Sequence, residues 1–390
     1  MTTRSRTVSA LGVVQILTWG TSFYLLSVLA PAIGAETGWR PSLVTGGMSV
    51  GLIASGLAAR RIGALIQAHG GRPVLAGGVL LMAGGLGLIA MAQHPAFYLA
   101  AWVVLGLGMG GSLYDAAFSA LGRLYGRDAR SAITALTLWG GFASTVFWPI
   151  SAWGVETIGW RGTCFAYAAM HLCVTLPLCL FALPRIPPAL DAPDSTGPAP
   201  RPPLRDPRVW AIALVGTVMS LTAGAWLVHA LPTLAARGFT LAEAVFLGTL
   251  IGPAQVAARV VEMAAKGRHH PLWTQGVATF LFAVGFAGLK LGMPAAAAII
   301  AYGAGNGLWS IARGAVPLAI FGPRDYPRLM GLLATPMLLA AAAAPVFGSL
   351  LIARVGVEMF LSTLALMALV PLAVTIPLLV MVLRREPSRA

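Results

Sequence analysis

Apolar stretches follow one another along the chain, separated by short clusters that hold nearly all of its charges. Each runs for roughly 20 to 25 residues, enough at 1.5 Å per residue to cross a hydrocarbon core about 30 Å thick. The pattern predicts helical spans over 8–33, 42–66, 73–93, 96–121, 131–155 and 162–183, then 209–235, 242–265, 272–292, 294–321, 328–353 and 358–383. Between the two sets, Pro184 to Arg208 is dense in proline and carries Asp191, Asp194 and Asp206, too polar and too interrupted to span. The expected fold is an all-α integral membrane protein of twelve transmembrane helices, with an N-terminal six-helix bundle (1–183), a cytoplasmic linker (184–208) and a C-terminal six-helix bundle (209–390).

Composition agrees with this. Of 390 residues, 58% are hydrophobic and 10% charged, against about 25% charged in a soluble domain. The 46 glycines suit close helix contact in lipid, and the pairs Gly84-Gly85 and Gly140-Gly141 are candidate packing sites. A net charge of +14 raises the question of nucleic acid, but the basic residues form no continuous patch interleaved with aromatics, so no nucleic-acid partner is expected.

Topology accounts for the charge better. With the N-terminus inside, Arg4, Arg60, Arg61, Arg72, Arg123, Arg127, Lys266, Arg324, Arg328 and Arg385 fall on the cytoplasmic side, and Arg40, Arg161, Arg237, Lys290 and Arg354 on the other. A multi-pass protein of the cytoplasmic (inner) membrane with both termini cytoplasmic is expected, its first apolar run retained as a helix. Cys164, Cys173 and Cys179 share one apolar segment without ligand spacing, so neither a disulfide framework nor a metal site is expected. No phosphate-binding glycine loop ends in Lys-Ser or Lys-Thr. No cofactor and no catalytic activity are expected, and nothing here points to a process driven by ATP.

The halves repeat. A shift of 197 positions lays Gly106, Gly108 and Gly110 on Gly303, Gly305 and Gly307, Arg127 and Asp128 on Arg324 and Asp325, and Gly159 on Gly356. Parallel repeats of this kind place a solute site between the halves near the bilayer midplane.

After the second span, the segment Gly63 to Arg72 resembles the loop signature of the major facilitator superfamily. Gly63, Gly70 and Arg72 match it, while Gln67, Ala68 and Gly71 replace an Asp and two Arg. The resemblance implies two six-helix halves related by pseudo-twofold symmetry, a gating role for this loop, and transport by alternating access. Within that superfamily the chain is similar to the monocarboxylate and oxalate-formate transporter branch: Gly38-Trp39-Arg40 before the second span, Tyr125 to Ala132 before the fifth, and Gly159-Trp160-Arg161 before the sixth carry the likeness. Gln255 and Arg259 sit where monocarboxylate transporters carry an Asp and an Arg four residues apart, the Arg binding the substrate carboxylate; here the Arg matches and the Asp does not. The branch often couples transport to protons or exchanges anions.

Two cations remain inside predicted spans. Arg259 lies about 7 residues, roughly 10 Å, from the cytoplasmic end of the eighth span, where it could snorkel to headgroups or grip a carboxylate with parallel hydrogen bonds. Arg313 lies deeper, in the tenth. Asp115, in the fourth span, falls beside Arg313 under the repeat, which allows a salt bridge made and broken during transport, proton carriage, or a permanent structural pair. Glu262 shares a helix face with Arg259, and His229 in the seventh span can titrate or simply pack. Gln15, Trp19, Thr21 and Tyr24 in the first span, with Asn306 and Trp309 in the tenth, offer a polar and aromatic lining.

The expected function is secondary active transport of a small organic anion, a carboxylate for preference, with Arg259, Arg313, Gln255, Trp19, Tyr24, Asn306 and Trp309 meeting substrate and Asp115, His229 and Glu262 serving coupling or ion pairing. Beyond the substrate, membrane lipids and protons are the expected partners of a monomer. The alternatives are efflux of drugs or other hydrophobic or neutral solutes and, in another class, a sensor that binds solute without moving it.

Overall fold

The computed structural model describes residues 3–185, 204–265 and 268–384. Most of the expected linker, together with Lys266 and Arg385, lies outside these residues. The described chain is helical and, among these residues, without strands. It opens with α1 (Thr3–Gly20) and α2 (Leu25–Thr37), then α3 (Pro41–His69), α4 (Gly71–Met91), α5 (Pro95–Ser112), α6 (Tyr114–Tyr125), α7 (Ala129–Gly140) and α8 (Ala143–Met170). It continues with α9 (Pro207–Ala236), α10 (Leu241–Thr249), α11 (Ile251–Ala264), α12 (Pro271–Leu291), α13 (Ala295–Phe321) and α14 (Tyr326–Arg384).

Nine helical stretches among the described residues are long and apolar enough to cross a membrane. Two greatly exceed one crossing: Pro95–Ala182 has 88 residues and Tyr326–Met381 has 56, where about 20 suffice. The first turns at a 3-10 segment, Gly126–Asp128, and again at Gly159 (φ 71°, ψ 170°). The second turns at Gly356 (φ 79°, ψ 172°). Left-handed backbone of this kind favours glycine. Divided at these corners, the nine stretches give the twelve spans the hydropathy predicts.

The chain divides into two compact units, Met1–Pro202 with Gly322–Thr335, and Pro203–Phe321 with Pro336–Ala390. Their internal packing repeats. In the first, a Cβ on Gly106 would lie 2.1 Å from Gly51 O, one on Gly108 2.6 Å from Met82 N, and one on Gly110 3.0 Å from Ser55 Oγ. In the second, Gly303 faces Ile251 O at 2.9 Å, Gly305 faces Phe282 N at 2.7 Å and Gly307 faces Gln255 O at 2.6 Å. Only glycine lets backbones meet this closely, and van der Waals contact is what joins helices in lipid. Of the glycine pairs, Gly85 and Gly140 press on Leu105 and Tyr114, whereas Gly84 faces open space.

Each unit also carries a clamp at one end of its spans. Arg161 bonds Glu36 Oε1 at 2.7 Å and Ala90 O at 2.6 Å. In the second unit Arg237 bonds Leu289 O and pairs with Glu358 at 3.4 Å, while Lys290 reaches Glu358 at 2.8 Å. Shifted by 197 positions, Arg161 falls on Glu358. The same corner is tied in both units with acid and base exchanged.

Several spans are interrupted partway. The first breaks at Thr21–Tyr24, where the Thr18, Thr21 and Ser22 hydroxyls bond back to Val14, Leu17 and Thr18 carbonyls at 2.8, 2.8 and 2.6 Å. Such back-bonding bends helices. The fourth breaks at Leu113, which is extended (φ −78°, ψ −171°), the fifth at Gly141–Phe142 and the eighth at Leu250.

Candidate functional site

In the second unit the arrangement centres on Arg259. The α11–α13 contact at Gly307 is so close that a side chain there would strike the Gln255 backbone, and this brings the Gly307 carbonyl within 3.3 Å of Arg259 Nε. One helical turn back, Gln255 Oε1 accepts from Arg259 Nη2 at 3.2 Å. The arginine is thereby fixed, and only 5% exposed. Ser310 Oγ donates to the same Gly307 carbonyl at 2.6 Å.

Asn306, Ser310 and Arg313 follow along α13 at helical spacing, each half-buried. Trp309 is buried. Pro317 follows one turn after Arg313 and cannot donate to its carbonyl, which loosens the helix there. Arg259, Arg313, Gln255, Asn306 and Trp309 were expected here from sequence; Gly307 and Ser310 join them only through the fold. The aligned Gly110 and Gly307 were the available signal.

In the first unit the break at Leu113 organises the polar groups. Gln15 Nε2 donates to the Ser112 carbonyl at 2.9 Å, and Gln15 Oε1 accepts from Trp19 Nε1 at 3.2 Å. Gln15 is fully buried and sets the Trp19 ring. Trp19 lies 5.0 Å from the Tyr114 ring and 5.2 Å from Phe23, and Tyr24 lies 6.1 Å from Trp148. Thr21 Oγ1 is shared with His171 Nε2 at 2.7 Å. Asp115 stands half-buried in the first turn of α6, where the positive end of a helix dipole favours a carboxylate.

Two other residues named from sequence have further neighbours of their own. Glu262 accepts from Thr274 Oγ1 at 2.8 Å and meets His269 Nε2 at 3.2 Å, at the junction of α11 and α12. His229 packs against α14: its Nε2 reaches Pro345 O at 3.1 Å, its ring fills the space left by Gly348, and Phe360 stands edge-on at 5.8 Å.

The loop after the second span is built on glycine. Gly70 takes a backbone (φ 85°, ψ 170°) that joins α3 to α4. A Cβ on Gly63 would lie 2.3 Å from Pro327 O, and one on Gly331 2.3 Å from Ala59 O, so α3 and the start of α14 touch backbone to backbone within the first unit. Gly71 has no room for the family's arginine, because Ala120 Cβ would be 2.2 Å away. Gln67 still donates to Arg324 O at 2.8 Å, and Arg123 bonds Ile66 O, a cation at the carbonyl end of α3. Arg72 is half-buried beside them. Burial pushes the Asp325 carboxyl above its usual range, opposed by Arg328 and Arg324.

Two bundles with repeated packing, built from apolar spans, define a multi-pass membrane protein of the transporter class. The family model described as Major Facilitator Superfamily matches residues 11–316, and the chain belongs to that superfamily. Solved structures share its fold. The human organic anion transporter MFSD10 (TETRAN) matches with a TM-score of 0.76 at 16% identity, over 95% of this chain and 99% of that one. A variant of the E. coli fucose:proton symporter FucP gives 0.72 at 13%, over 94% and 97%. The proton:xylose symporter XylE bound to 6-bromo-6-deoxy-D-glucose gives 0.74 at 12%, over 95% of each chain. No match to a curated protein sequence is found.

Proposed function

We propose that this protein is a secondary transporter of a small organic anion, a carboxylate, working by alternating access with residues 1–183 and 209–390 as its moving parts. Arg259 carries the reading. An arginine buried in a membrane span costs several kcal/mol unless it is compensated, yet this one is oriented by a glycine carbonyl and a glutamine amide. A planar guanidinium so held is suited to a carboxylate, which it can meet with two parallel hydrogen bonds. Arg313 is the second cation, with Asn306 and Trp309 beside it on the same helix. Gln255 serves chiefly to aim Arg259, and Asp115 is the counter-charge or proton carrier. His229 and Glu262 serve packing and local pairing.

The monocarboxylate-like branch is the assignment within the superfamily that these positions favour. Its Gly-Trp-Arg segment has a physical role here: Gly159 turns the chain, Trp160 is buried, and Arg161 lies 4.3 Å over the Trp160 ring while tying the clamp. That MFSD10, of the same fold, is an organic anion transporter accords with the cargo. We place the protein in the inner membrane as a monomer with cytoplasmic termini, and give Gly63, Gly70 and Arg72 a gating role. Efflux of neutral or hydrophobic solutes is the second reading, favoured by the half-exposed rings of Trp19, Phe23 and Tyr24.

Proteoliposome uptake of radiolabelled carboxylates, with and without a proton gradient, tests the proposal. Saturable uptake stimulated by an inward proton gradient is expected. Flux of neutral solutes alone would move the assignment to the exporter.

A further inference from the structure

We infer that the corner joining the first and second spans holds an anionic phospholipid, its phosphate met by Arg40 and its glycerol and upper acyl chains laid against Trp39, Leu43 and Pro95. The inference lies within the first unit and is independent of the carboxylate reading above.

A shallow cavity of about 590 Å³ opens at this corner, lined by Gly38, Trp39, Arg40, Ser42, Leu43 and Pro95. It stands at one end of the spans, since α2 closes at Thr37, α3 opens at Pro41 and α5 opens at Pro95. Tryptophan at the end of a span marks the headgroup level. The back of the cavity is fixed in place. Tyr98 is fully buried, donates to Val44 O at 2.8 Å and stands 5.2 Å from the Trp39 ring. Behind it, Gly51 and Gly106 bring α3 and α5 together backbone to backbone.

Arg40 is exposed at the mouth and, among the described residues, makes neither a hydrogen bond nor an ion pair. Glu36, four positions earlier, does not neutralise it, because Arg161 takes that carboxylate at 2.7 Å. The matching corner of the second unit shows what is missing. Gly238 takes a left-handed backbone there as Gly38 does here (φ 91° and 69°), and each helix begins three residues later. In the second unit Thr240 and Glu243 form a capping box: Glu243 Oε2 accepts from Thr240 N at 2.8 Å, and Thr240 Oγ1 accepts from Glu243 N at 3.3 Å. The residues in those places in the first unit are Arg40 and Leu43, and the start of α3 has no side-chain cap. One corner supplies its own carboxylate; the other offers a cation and an apolar wall. An anion from outside the chain fills the part that Glu243 plays, and the forked guanidinium suits a phosphate.

The lining selects a lipid over a soluble anion. Apart from Arg40 and Ser42 its side chains are apolar, so a small hydrated anion would lose water against Trp39, Leu43 and Pro95 and gain nothing there. A phospholipid brings apolar surface of its own beneath the phosphate.

The test is native mass spectrometry and thermal unfolding of the purified full-length protein with dioleoyl phosphatidylglycerol, dioleoyl phosphatidylcholine or glycerol 3-phosphate. Phosphatidylglycerol should remain bound and raise the melting temperature, with phosphatidylcholine retained several-fold less. Arg40→Ala should lower phosphatidylglycerol retention about five- to tenfold, whereas Arg354→Ala, which removes an exposed cation of the second unit, should not change it. Should Arg40→Ala fail to fold, the double variant Arg40→Thr, Leu43→Glu decides the matter. It builds the second unit's capping box into the first, so the protein should fold at least as stably while releasing the lipid. Undiminished retention in the double variant, or equal retention of phosphatidylcholine, would overturn the inference. Glycerol 3-phosphate that stabilises as strongly as the lipid in an Arg40-dependent way would overturn it too, in favour of a soluble anion.

Discussion

Replacing Gly307 by alanine tests whether backbone contact between α11 and α13 is what aims Arg259. The new Cβ would stand 2.6 Å from Gln255 O and 2.7 Å from Gln255 Cα. Ordinary contact begins near 3.4 Å, so the helices must separate by roughly 0.8 Å, an overpacking cost of about 1–3 kcal/mol. Alanine returns about 1 kcal/mol of that in helix propensity, so the protein should fold with its melting temperature lowered by only a few degrees. The site should suffer more. The Arg259 bond to Gly307 O is already 3.3 Å long, and the displacement carries it beyond hydrogen-bond range. A bond to a charged group contributes about 1.5–3 kcal/mol, so carboxylate affinity should fall about ten- to a hundredfold. Isothermal titration of purified Gly307→Ala against the best-bound carboxylate measures this. Gly303→Ala, a milder clash at 2.9 Å one turn away, and Gly84→Ala, which meets nothing within 4 Å, are the controls. Unchanged affinity in Gly307→Ala, or an equal loss in Gly303→Ala, would refute the reasoning.

The clamps predict charge-swap rescue: Glu36→Arg or Arg161→Glu alone should lower stability by up to about 1 kcal/mol, and the double variant should recover part of it because opposite charges again face each other, as thermal unfolding of the single and double variants would show. Gln15→Leu removes the donor to Ser112 O and the acceptor for Trp19, and should cost about 1–3 kcal/mol while shifting tryptophan emission. Gly71→Arg, which restores the family residue, should impair folding rather than improve gating, because Ala120 occupies the space; expression and monodispersity on size exclusion check this.

Much of the fold was legible in hydropathy because lipid imposes one rule, that every backbone group be satisfied within its own segment, and only long apolar helices obey it. The repeat was legible through glycine. Gly159 and Gly356 do adopt the same left-handed corner, and the triplet Gly106, Gly108, Gly110 packs as Gly303, Gly305, Gly307 does. What hydropathy missed were the breaks within spans at Thr21–Tyr24, Leu113, Gly141–Phe142 and Leu250. An apolar residue such as Leu113 carries no sign of being extended, and the group that satisfies the freed Ser112 carbonyl, Gln15, lies nearly a hundred positions earlier. At the candidate site, charge depth pointed to Arg259. Helix spacing put Glu262 on the face of Arg259; that it also meets His269 and Thr274 at the α11–α12 junction is visible only in the fold. His229 was open in the sequence between a site role and packing, and the Pro345 carbonyl and Gly348 beside it are visible only in the fold.

On the proposed reading, fixed guanidinium groups in the spans bind the acid group of the solute. Counterflow of a radiolabelled carboxylate in proteoliposomes, comparing the wild type with Arg259→Ala, Arg313→Ala and Arg259→Lys, addresses it most directly. Each alanine variant should lose at least a hundredfold in exchange, and lysine, which keeps the charge but not the planar fork, should rescue only weakly. Carboxylate exchange at wild-type rates in both alanine variants would contradict it.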